Sequence, residues 1–181
     1  AMAETMALCV SCKGCKRECP TGVDMARMKI EVLHQRQQQN GISLRDRLVA
    51  FLPRYAPYAV RLRGLLNLLN RVPGLAPTDR RLLGFSTERP LPIWRKPYQP
   101  PRLEDIGGDG RDVVLLVDSF STYFDPANAR AALRVLKAAG YRVHVAAPED
   151  GGRPLCCGRT FLAAGLVDQA RQEAKRLIDA L

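Results

Sequence analysis

The chain has 181 residues, 46% of them hydrophobic and 25% charged, a composition that excludes a disordered or low-complexity protein and suffices for one domain or two small ones. Its net charge of +10 is concentrated between residues 61 and 102, where nine basic residues face two acidic ones. That patch invites a nucleic-acid reading, but no zinc-finger helix or aromatic RNA-binding signature accompanies it, and aromatics make up only 6% of the chain; a solvated face, or docking onto an acidic part of the same enzyme, is expected instead.

In chain order, the first feature is CVSCKGCKRECP, residues 9–20, which places Cys9, Cys12, Cys15 and Cys19 in a C-x2-C-x2-C-x3-C-P run. This is the iron–sulfur spacing of bacterial-type ferredoxins: a short loop wraps a cubane and points successive thiolates at different iron corners. Lys13, Lys16 and Arg17 lie between the ligands and favour thiolates. Zinc knuckles usually set two close cysteine pairs a dozen or more residues apart, so a [4Fe-4S] cluster is the reading and zinc the alternative. In two-cluster ferredoxins the fourth cysteine of such a run serves the other cluster. Either Cys19 closes one cubane locally, or a partner run precedes residue 1 and these residues alone complete neither cluster; the second arrangement is expected. Ala1 ahead of Met2 reads as a cloning remnant and Leu181 falls within a periodic helix, so a piece of a longer protein is expected.

Downstream, Thr21 and Asp24 open a predicted helix that stops at Asn40-Gly41, and Ser43 and Asp46 open another with Pro53 at its exit. Ala59, Leu62, Leu65, Leu66 and Leu69 mark a third helix ending near Val72-Pro73-Gly74, and a short turn is predicted from Thr78 to Gly84. Five prolines between residues 90 and 101, then Gly107, Gly108 and Gly110, predict an extended linker over 89–111. DVVLLV predicts a strand covered on both faces. A helix follows, with Asp125 as N-cap, Pro126 at its first position and Gly140 at its end, and then YRVHVA as a second, parallel strand. The last helix carries Ala163, Leu166, Val167, Ala170, Ala174, Leu177, Ile178 and Leu181 on one face. Two strands make a small sheet, whose exposed edge is expected to drive self-association or local disorder.

Cys156-Cys157-Gly158 lies between the second strand and the last helix, where open α/β sheets place ligands. A helix start there would lower both thiol pKa values for metal or redox work; two small buried hydrophobes are the equally weighted alternative. His34 and His144 have no ligand-spaced neighbour and are read as structural. The DSFSTYFD segment is read as a loop with Asp125 capping the helix after it. Six cysteines in one cluster and one pair suit a reducing cytosol better than a disulfide framework, and no apolar run has the length of a membrane span, with peripheral contact at its inner face left open.

CVSCKGCKRECPTGVDMARMK, followed by VVLLVDSFSTYF, VLKAAGYRVHV and PLCCGRTFLAAG, resembles the C-terminal part of bacterial FAD-linked oxidases related to D-lactate, glycolate and D-2-hydroxyglutarate dehydrogenases. The resemblance covers nearly the whole chain. It implies a mixed α+β and α/β fold: a helical ferredoxin-like iron–sulfur segment over 1–88, a Pro/Gly-rich linker over 89–111, and half of a Rossmann-like βαβ cysteine-rich domain over 112–181. It implies further that an upstream FAD domain of the same polypeptide oxidises a 2-hydroxy acid and that electrons pass through [4Fe-4S] clusters to a quinone or carrier protein. Cys9, Cys12, Cys15 and Cys19 match the cluster ligands, and Cys156 and Cys157 match the Cys-Cys-Gly motif shared with heterodisulfide reductase subunits. Ser119 stands where those relatives carry a further cysteine. No glycine-rich dinucleotide loop occurs, so the chain alone is expected to be inactive; no nucleic-acid partner is expected. A zinc-binding interaction module and a thiol–disulfide module are the competing readings.

Overall fold

Two helices of the first 60 residues begin where a side chain satisfies an amide that the helix leaves free. A computed structural model describes residues 2–72, 81, 83–86, 88–100, 110–148 and 151–181, and the predicted turn at 78–84, the end of the third helix beyond Val72 and the glycines at 107 and 108 fall wholly or partly outside them. Helix α1 (Met2–Ala7) precedes the cysteine run, and the short α2 (Gly14–Glu18) lies within it; neither was predicted. Helix α3 (Met25–Asn40) starts at Asp24, whose carboxylate accepts from the Arg27 amide at 3.0 Å, and stops at Gly41. Helix α4 (Leu44–Ala50) is capped by Ser43, whose Oγ accepts from the Asp46 amide and donates to the Asp46 carboxylate.

Pro53 does not end that helix. The chain breaks at Phe51, and Pro53 stands at the second position of α5 (Leu52–Ala59), where a missing N–H costs nothing. Pro57 sits inside α5, which passes through a 3-10 turn (Val60–Leu62) into α6 (Arg63–Leu69). Strand β1 (Asp112–Leu115), helix α7 (Ser119–Tyr123), helix α8 (Pro126–Ala138) and strand β2 (Arg142–Val145) follow. Finally, α9 (Arg159–Ala163) and α10 (Val167–Asp179) replace the single predicted helix. The break is Gly165, at φ +77°; a Cβ there would lie 2.6 Å from the Leu33 carbonyl carbon, so α3 passes too close for any other residue.

The chain divides into two compact units, Ala1–Phe51 with Gly158–Gln172 and Leu52–Cys157 with Glu173–Leu181. In the first, Ala50, Phe161, Leu166 and Ala170 form the core, with Phe51 and Phe161 edge to face at 5.1 Å. Thr160 Oγ1 donates to the Ala50 carbonyl, and His34 Nδ1 lies 2.8 Å from the Gly165 carbonyl. His34 therefore ties α3 to the α9–α10 turn.

In the second unit the two strands pair in parallel, in register from Asp112↔Arg142 to Leu115↔Val145. Val113, Leu115, Leu133 and Val143 pack on one face, while Val114 and Leu116 stay exposed on the other. The sheet is thus covered on one face among the described residues, not on both. Ala56, Val60 and Tyr123 form a second cluster with Trp94 and Phe124. The proline-rich stretch passing Trp94 is held in place: Asn67 donates to the Trp94 carbonyl and accepts from its amide, both at 2.9 Å. The Arg95 and Tyr98 amides donate to the Tyr123 and Thr122 carbonyls. No helix among the described residues is long and apolar enough to cross a membrane.

Candidate functional site

The cysteine loop is shaped by two non-glycine residues in the left-handed region, Ser11 at φ 57° and Lys13 at φ 61°. Such a conformation is uncommon outside glycine and clusters at ligand-holding turns. It turns the backbone so that amides face sulfur. The Ser11 N–H donates to Cys9 Sγ at 3.4 Å, and the Met25 N–H at the start of α3 donates to Cys15 Sγ at 3.3 Å. Cys19 caps α2, its amide donating to the Cys15 carbonyl, and its sulfur lies 3.1 Å from the Thr21 hydroxyl. That hydroxyl, followed by the amides of Val23, Thr21 and Gly22, holds the Cys19 thiol below its ordinary value of 9.0. Lys29 of α3 donates to the Cys9 carbonyl at 2.6 Å, fixing a cation beside the loop's start.

Cys12 is exposed and the other three thiols are half-buried; none of the six cysteines is in a disulfide. The donor set suits an iron–sulfur group: four soft thiols, three of them near N–H or O–H groups that stabilise thiolate charge. Among the described residues no three thiols, imidazoles or carboxylates converge around a common metal position.

The second pair is held differently. Cys156 is 4% exposed and Cys157 lies at the surface. Just upstream, Arg153 Nη2 donates to both Glu173 carboxylate oxygens, at 2.5 and 2.7 Å, and Arg54 reaches the same carboxylate at 3.3 Å. Arg176, one turn further along α10, donates to the carbonyls of Arg153 and Pro154. Glu173 is only 2% exposed, and the guanidiniums of Arg153 and Arg54 both pair with its carboxylate. Gly158 follows the pair at φ +81°, and a Cβ on it would stand 2.5 Å from the Ala170 carbonyl oxygen; glycine is required by both the conformation and the contact. Helix α9 after it has five residues, so it carries less of the dipole that the sequence suggested for these thiols.

The remaining candidates are structural. His144 Nε2 lies 2.7 Å from Asp112 across the strand pair, and with the Arg142 guanidinium this holds Asp112 below the ordinary carboxylate range, the His144 hydrogen bond being the larger cause. Asp118 caps α7, accepting from the Ser121 amide at 2.7 Å; Asp125 is the N-cap residue of α8 as expected, but its carboxylate accepts from the Asn128 side chain and not from a backbone amide. The Glu173 network went unread, although its signal was present. Glu173 stands on the same stripe as Leu166, Ala170 and Leu177, a lone charge among apolar residues at helical spacing.

Three curated relatives are D-2-hydroxyglutarate dehydrogenases. That of Pseudomonas putida is 27% identical over 84% of this chain, that of Escherichia coli 23% over 77%, and that of Haemophilus influenzae 22% over 76%. The chain spans 16%, 15% and 14% of their respective lengths. The similarity is distant and confined to a small part of each relative. No protein-family model matches the chain, and no solved structure matches it significantly.

Proposed function

We propose that this chain is the electron-transfer part of an FAD-linked dehydrogenase acting on a D-2-hydroxy acid, with Cys9, Cys12, Cys15 and Cys19 holding iron–sulfur. The observation that carries the reading is the cysteine run itself, set on a loop whose amides and one hydroxyl point at sulfur, in a chain whose relatives are D-2-hydroxyglutarate dehydrogenases. A flavin domain elsewhere in the polypeptide would oxidise the substrate, and a quinone or carrier protein would take the electrons. A bound [4Fe-4S] cluster supplies one-electron transfer. The chain's residues hold and tune it. The Thr21 hydroxyl lies beside the Cys19 sulfur and favours its thiolate, and the Ser11 and Met25 amides donate to the sulfurs of Cys9 and Cys15. Lys29 anchors the loop to α3.

Anaerobic reconstitution of the 181-residue chain with iron and sulfide tests this. Bound iron and acid-labile sulfide are expected, with a visible chromophore bleached by dithionite and lost when Cys12 and Cys15 are replaced by serine. About four irons per chain would mean that Cys19 closes the cubane locally; fewer would mean that it serves a second cluster. A colourless protein, or one zinc per chain, would remove the reading.

A further inference from the structure

The helical run from Leu52 to Leu69 has two unlike sides. Pro53, Ala56 and Val60 are buried, whereas Tyr58, Leu62, Leu65 and Leu69 recur at helical spacing on the outside with Leu68 beside them. Leu62 and Leu68 are each 59% exposed and Leu65 is 53% exposed, which is unusual for adjacent large aliphatic residues. Arg61 and Arg63 interleave with this row, and the Arg61 guanidinium lies 5.8 Å from the centroid of the Tyr58 ring. An apolar row with an amphipathic aromatic and arginines beside it is the pattern of a helix lying in a membrane interface.

A second feature of the same unit points to the same kind of partner. The extended stretch that Asn67 ties to α6 presents Arg95, Lys96 and Gln99 to a cavity of about 460 Å3, closed on the other side by Pro126 and Arg130 of α8. Among the described residues no carboxylate pairs with Arg95, Lys96 or Arg130. Cations grouped this way repel one another and favour phosphate-bearing surfaces.

We propose that this unit docks onto the surface of an anionic bilayer, with α6 in the interfacial plane, its leucines at the acyl boundary and the neighbouring arginines and lysine at the headgroup phosphates. Charge decides between this occupant and a second copy of the chain. Among the described residues from 61 to 100, Arg61, Arg63, Arg71, Arg81, Arg89, Arg95 and Lys96 stand against Glu88, which would set like charge against like in a dimer, whereas an anionic lipid surface complements both the leucines of α6 and the arginines interleaved with them. The proposal is independent of the redox reading.

Sedimentation of the 181-residue chain with vesicles tests it, using phosphatidylcholine alone and phosphatidylcholine mixed with phosphatidylglycerol. Partition onto the anionic vesicles is expected to exceed that onto neutral ones at least tenfold and to fall as salt rises. Arg61→Gln with Arg63→Gln should lower it severalfold, and Leu65→Asp with Leu68→Asp should abolish it. All four positions are exposed, and an unchanged thermal transition checks that the fold is retained. Equal partition onto both vesicle types, no partition onto either, binding that survives the leucine replacements, or a dimer that those replacements dissociate while vesicles stay unbound would each overturn the proposal.

Discussion

The two cysteine regions are built by opposite means. Around Cys9–Cys19 the sulfurs take their partners from within ten residues: Ser11 for Cys9, Met25 for Cys15, Thr21 for Cys19. The approach to Cys156 and Cys157 is fixed from far away in sequence, by Glu173 and Arg176 on α10 and by Arg54 on α5. A local loop of this kind can adjust around an incoming group without disturbing a core. A loop tied to a buried carboxylate cannot move without breaking ion pairs. The first region is therefore suited to acquiring a cofactor, the second to presenting one buried and one exposed thiol in a fixed arrangement.

Substitutions can break or sharpen that contrast, and the largest effect is expected in the second region. Glu173→Ala strands Arg153 and Arg54 beside an emptied site; a loss of about 3 kcal/mol is expected in urea unfolding, with Cys156 becoming open to alkylation. If stability and Cys156 protection both stay unchanged, the network does not hold the loop. Gly158→Ala comes next, at about 2 kcal/mol or more, because the new Cβ meets the Ala170 carbonyl in a left-handed backbone. Thermal unfolding measures it, and a neutral result would show that the turn after Cys157 relaxes freely.

In the first region the effects should be smaller. Asp24→Ala removes the α3 cap and is expected to cost about 1 kcal/mol by the same urea assay. A cost as large as that of Glu173→Ala would erase the distinction between the regions. Thr21→Val should leave stability nearly untouched and act on chemistry instead. The folded Cys19 pKa is depressed, so its thiolate persists as pH falls below 9.0 until the lowered value is reached. Rates of iodoacetamide labelling against pH, read residue by residue by mass spectrometry, should show Cys19 reacting at lower pH than an ordinary thiol. Thr21→Val should shift that profile upward, and an unmoved profile would remove Thr21 as the cause.

The same division explains what could be read from the sequence. The caps at Asp24 and Ser43, the stop at Gly41 and the parallel strand pair follow from residues close together in the chain, and those expectations match the structure. Pro53 was misread because a proline that ends one helix and a proline that opens the next look alike in sequence. The final helix was drawn too long because its apolar stripe continues through Gly165, and only the approach of α3 makes that glycine a break. The strand at 112–117 looked doubly covered from its unbroken valines and leucines, but Val114 and Leu116 face outward. Of the candidate site, the spacing of Cys9, Cys12, Cys15 and Cys19 was visible directly; the Glu173 clamp required partners 20 and 119 residues away.

The central claim is that the thiols of residues 9–19 bind redox-active iron, and paramagnetic resonance of the reconstituted chain tests it most directly. The account predicts an iron–sulfur signal that appears or disappears on dithionite reduction in the wild-type protein and is missing from the Cys12→Ser, Cys15→Ser variant. A chain that takes up no iron, or whose signal is the same with both cysteines replaced, would contradict it.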